Sequence, residues 1–64
     1  MLKRDMADIL FSMALERYRT EKPTIELTNE RMDQIWYSIY GVLNHYGEDA
    51  AYEYVRSSKL LEDK

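Results

Sequence analysis

The residues with the most reactive side chains are His45, Glu48 and Asp49. One imidazole and two carboxylates close in sequence are the raw material of a metal site or an acid–base pair. Gly47 lies between them and spoils any fixed helical spacing, and the chain holds no second imidazole and no thiolate. A histidine in the last turn of a helix is better explained by attraction to the negative end of the helix dipole. There is no Gly-rich phosphate loop, no cysteine and no serine set in a nucleophile elbow. A chain of 64 residues lacks the volume to enclose a drug-sized pocket, except at an oligomer interface. The sequence therefore predicts no enzyme, no cofactor, no metal site and no catalytic residue.

Recognition chemistry is better supplied. Asp33, Tyr37, Tyr40 and Asn44 recur at spacings of four, three and four. On a helix they fall within roughly 60° of one another. Glu48, Asp49 and Tyr52 follow just beyond Gly47. Tyrosine joins an apolar ring to a polar tip, and such residues are enriched at protein interfaces. These seven residues are the candidate partner-binding set. Two readings of Tyr37 and Tyr40 stand side by side: burial, in the core or across a dimer, and a surface for a different protein.

Charge sharpens the second reading. Glu26, Glu30, Asp33, Glu48, Asp49 and Glu53 face only Arg31 in the middle of the chain, a net charge of −5 there against −3 for the whole. Five of the six tyrosines and the one tryptophan lie in the same region. That sign opposes the phosphate backbone and argues against a nucleic-acid partner.

The elements that must position these residues follow from periodicity. Met32, Ile35, Trp36, Ile39, Val42, Leu43 and Tyr46 form one apolar stripe about 120° wide. It predicts a helix over 29–46, capped by Thr28 or Asn29 and ended by Gly47 in a left-handed conformation. Gly41 sits off the stripe and suggests close approach of a neighbouring helix. A further helix over about 48–61 should turn Ala51, Tyr54 or Val55, Ser58 and Leu61 inward. The first helix should span about 3–19, with Asp5 and Asp8 near its start and Arg17 and Arg19 near its end, the favourable signs for its dipole. Between the first two helices, Pro23 breaks the chain, and Thr24-Ile25-Glu26-Leu27 is either a short strand or an extended loop.

The first helix carries two apolar stripes. Leu2, Met6, Ile9 and Met13 make one; Ala7, Phe11, Ala14, Leu15 and Tyr18 make the other, with Leu10 between. Together they cover about two-thirds of the circumference, whereas a surface helix needs an apolar arc of about 100°. The second stripe is accordingly the candidate oligomer interface. A chain this short is marginal alone and has no cysteine with which to staple itself. The expectation is an all-α, three-helix single domain over 1–64, with an extended connection near 22–27, assembled as a homodimer or higher oligomer. Its core should hold Met6, Ile9, Leu10, Met13, Ile25, Leu27, Ile35, Trp36, Ile39, Val42, Leu43 and Val55. With no long apolar run and no signal-like segment, a soluble, cytoplasmic protein is expected.

Residues 24–61 resemble the ribbon-helix-helix pattern of small dimeric DNA-binding proteins and antitoxins. Thr24 to Leu27 would be the ribbon, 29–46 the first helix, Gly47 the turn and 48–61 the second helix. The resemblance implies a dimer whose strands pair across chains. It also implies a ribbon facing the major groove, where this chain has Glu26, and phosphate contacts after the turn, where it has Glu48 and Asp49. In composition the chain is similar to small acidic, aromatic inhibitors from phages or plasmids, which occupy nucleic-acid-binding grooves on other proteins. The leading expectation is a non-enzymatic protein–protein interaction module, a regulator or inhibitor acting as a homo-oligomer. A ribbon-helix-helix-type DNA-binding or antitoxin protein is the alternative.

Overall fold

A computed structural model describes residues 2–57 and 60. It contains α1 (Lys3–Glu21), α2 (Asn29–Tyr46) and α3 (Glu48–Arg56), with no strand among the described residues. Each helix packs on both of the others. The radius of gyration is 11.0 Å, close to the roughly 10.7 Å of a compact domain of this length.

Helix boundaries have local causes. Lys22 donates its N–H to the Tyr18 carbonyl (2.9 Å), and Ile25 donates to Lys22 (3.1 Å), closing a turn around Pro23. Residues 26–28 are irregular, so the loop reading of 24–27 holds within the chain. Ile25 and Leu27 pack against the core from that loop. Thr28 caps α2, its Oγ1 accepting the Arg31 N–H at 3.2 Å. Gly47 joins α2 to α3 with no further residue between them. Its φ is +95° as a helix-ending glycine requires, but ψ is 177° instead of left-handed helical, because the chain must enter α3 at once.

α3 ends at Arg56, five residues short of the expected 61. The Ser57 N–H donates to the Tyr54 carbonyl at 3.3 Å, and side chains take further carbonyls at this end. The Arg17 guanidinium donates Nη1–H bonds to the carbonyls of Val55 (2.9 Å) and Ser57 (2.7 Å). The Ser57 hydroxyl donates to Tyr54 (2.9 Å). These groups would otherwise be orphaned at the helix end. Arg17 is held for the task by Glu21, one turn on, at 2.9 Å. Their hydrogen bond raises the Arg17 pKa and holds the Glu21 carboxyl below its ordinary value. Ser58 and Leu61, expected to face inward, lie outside the described residues.

The core is Ala7, Leu10, Ala14, Tyr18, Ile35, Ile39, Leu43, Ala51, Val55 and Leu60. Met6, Met13, Trp36 and Val42 pack partly buried around it. Two expectations fail. Ile9 is 48% exposed instead of buried, and Tyr46, at the end of the α2 stripe, is 77% exposed. Both project past the area that neighbouring helices cover. The α1 stripe expected to require a second copy is covered within the chain: Ala7, Ala14 and Tyr18 are buried, and Phe11 and Leu15 are half-buried. The reversal at Pro23 lays α2 against α1, and Gly47 returns α3 against both. A helix with two partners uses a wider apolar arc than the one-partner rule allows.

Gly41 is not explained by close approach. A Cβ there would meet nothing within 4 Å. Tyr18 is the most telling core residue. Its ring is buried, and its hydroxyl donates to the Leu60 carbonyl at 2.7 Å. Tyr18→Phe should lower stability by about 1–2 kcal/mol, since the buried carbonyl loses its donor. A urea midpoint equal to wild type would show that this bond is not formed in solution.

Candidate functional site

The seven candidate residues separate into two patches. The first is the stripe on α2. Asp33, Tyr37 and Asn44 are exposed and Tyr40 is half-buried. They lie on the side of α2 turned away from Ile35, Ile39 and Leu43, so the packing of the core face dictates their exposure.

This stripe is backed by a tryptophan that sequence reasoning assigned to the core alone. The Trp36 ring stacks on Tyr40, with centroids 5.0 Å apart and planes at 12°. It meets Tyr37 edge-on at 5.2 Å and 89°. Its Nε1–H donates to Asp8 Oδ1 of α1 at 2.8 Å. Three rings and a carboxylate thus hold one another in place, at ring geometries that favour attraction. At the far end of the stripe Lys3 Nζ donates to Asn44 Oδ1 at 2.9 Å. The i, i+4 spacing of Trp36 and Tyr40 was readable in the sequence. The roles of Asp8 and Lys3 were not, because they arrive from another helix.

The second patch lies past Gly47. Glu48 and Asp49 are exposed in the first turn of α3, where the helix dipole favours negative charge. Tyr52 is 41% exposed, and the Arg56 guanidinium lies 5.3 Å from its ring centroid. Exposed Tyr46 ends α2 just before this patch.

His45 is exposed in the last turn of α2, and its ring is tilted against Tyr46 with centroids 6.4 Å apart. Among the described residues, no group of three histidines, cysteines or carboxylates comes together to hold a metal. An open cleft of about 390 Å³ lies between α2 and the end of α3. Asp33 and Tyr37 of the α2 stripe line it together with Arg31, Gln34, Ser38 and Tyr54, with Tyr18, Ile35 and Leu60 toward the core. The Arg31 guanidinium sits 5.8 Å from the Tyr18 ring centroid, a cation–π contact. No described helix is long and apolar enough to cross a membrane.

In comparisons with known proteins, no family model, curated protein or solved structure matches this chain.

Proposed function

We propose that this protein is a non-enzymatic protein–protein interaction module that acts as a homo-oligomer, in the manner of a small regulator or inhibitor. The observation that carries this reading is the amount of aromatic surface left outside the core. Tyr37 is 67% exposed beside the half-buried Trp36 and Tyr40, and Tyr46, at the end of α2, is 77% exposed. Rings pinned by one another and by Asp8 lose little freedom when a partner covers them. Preorganised aromatics of this kind dominate binding energy at interfaces. The carboxylates of Glu48 and Asp49 beside Tyr52 suit a partner surface with basic groups.

The DNA-binding alternative has less support. Its ribbon would come from 24–27, which forms a turn and loop in the chain, and its phosphate-facing positions would be Glu48 and Asp49. A soluble, cytoplasmic setting is part of the proposal.

The test is quantitative capture of partners by the immobilised wild type, by Tyr37→Ala and by Glu48→Lys/Asp49→Lys. All three sites are exposed, so each variant should keep its fold by circular dichroism. A partner that depends on either patch should be retained at least about tenfold less by the matching variant, as loss of a hot-spot residue implies. Retention of every bound protein at full affinity by both variants would sink the reading.

A further inference from the structure

Resting on the reading of the α2 stripe as an interaction surface, the geometry points to its occupant: a second copy of this chain, laid antiparallel across the same stripe about a two-fold axis between Tyr37 and Tyr40. The stripe reads the same in both directions. Asp33, Tyr37, Tyr40 and Asn44 are spaced four, three and four, which is the spacing of a helix–helix seam. Reversing the helix about its midpoint brings Asp33 opposite Asn44 of the other copy and Tyr37 opposite Tyr40. An isologous interface requires a patch that complements itself in this way.

The two ends are also complementary in charge. Asp33 is exposed and anionic at one end. At the other, Asn44 holds the Lys3 ammonium by a hydrogen bond of 2.9 Å. In the antiparallel pair each Asp33 carboxylate meets the Lys3 ammonium of the other copy, twice by symmetry. A parallel pairing would set like charge against like. Between the ends lie the fixed rings of Trp36, Tyr37 and Tyr40, already ordered by stacking and by Asp8. The outward stripe of α1, Leu2, Met6, Ile9 and Met13, has the same spacing, but it carries no opposite charges at its two ends to set a direction, and only Leu2 and Ile9 of it are largely exposed.

A seam of about three turns falls short of the roughly 800 Å² per partner of a standard interface. The dimer is therefore expected in roughly the micromolar range. Sedimentation equilibrium of the full chain from about 5 μM to about 1 mM at low salt should show the mass rising from 7.7 kDa toward twice that value. Asp33→Lys and Lys3→Asp should each weaken dimerisation at least about fivefold, and the double variant should recover most of the loss. Tyr37→Ala should weaken it with a wild-type helical spectrum.

A mass fixed at 7.7 kDa across the range overturns the inference. So does a dimer indifferent to both charge reversals, or one not recovered in the double variant. Partner capture that depends on Tyr37 while the chain stays monomeric also overturns it, and leaves the interaction-module reading standing. Self-association that follows the charge swap, with no partner captured, supports it.

Discussion

Ile39→Ala should leave the chain largely unfolded at 25 °C. Ile39 is fully buried at the centre of α2, on the face where α2 meets both other helices. Truncating such a side chain removes its burial free energy and leaves a cavity, together about 2–5 kcal/mol. At roughly 0.05–0.15 kcal/mol per residue, a domain of 64 residues has only about 3–10 kcal/mol in all. The far-ultraviolet helical signal should fall to near the denatured baseline, or melt well below the wild-type midpoint. Ile39→Val removes one methylene and should cost about 0.5–1.5 kcal/mol, remaining folded. Ile9→Ala provides the contrast. Ile9 carries the same side chain on α1 but is half exposed, so its truncation should matter far less. Equal losses at Ile9 and Ile39 would mean that α1 packs the other way round.

The contrast between these isoleucines also shows where sequence reasoning stops. Helix α2 was legible to the residue, because one narrow stripe, a threonine cap and a terminal glycine all agree. Helix α1 was legible as a helix but not in its orientation. Of its two apolar stripes, the one expected in the core (Met6, Ile9, Met13) is the more exposed and the other the more buried, because the placement of the neighbouring helices decides which stripe faces inward. Ala7 and Ala14, expected at an oligomer interface, are fully buried within the chain, and small side chains are what let helices approach closely. The end of α3 was misjudged for a related reason. Continuation to Leu61 satisfied the pattern, but Arg17 reaches from α1 to take the Val55 and Ser57 carbonyls, and a single-helix pattern holds no trace of that donor. At the candidate site the same division holds. The stripe of Asp33, Tyr37, Tyr40 and Asn44 could be read from its spacing. The groups that fix and charge it, Asp8 and Lys3, are distant in sequence and belong to another helix.

Gly47→Ala should destabilise the fold by about 1–3 kcal/mol, while Gly41→Ala should stabilise it by about 0.5–1 kcal/mol. The two glycines lie in or next to the same helix, and the added methyl meets nothing within 4 Å at either position. Sterics against neighbours therefore cancel from the comparison, and backbone conformation alone decides. Gly41 has helical dihedrals in the interior of α2. An alanine there loses less chain entropy on folding and removes a weak point in the helix. Gly47 adopts φ +95° and ψ 177°, a region that residues with a Cβ scarcely enter. It also makes both hydrogen bonds of the junction, donating to Leu43 and accepting from Ala51, each at 3.1 Å. Relaxing the strain by moving φ negative would swing α3 off α1 and pull Val55 and Ser57 away from Arg17. Paired urea titrations of the two variants should thus shift in opposite directions from wild type. A neutral Gly47→Ala would mean that α2 and α3 are joined by some other turn, and the placement of Glu48, Asp49 and Tyr52 relative to the α2 stripe would fail with it.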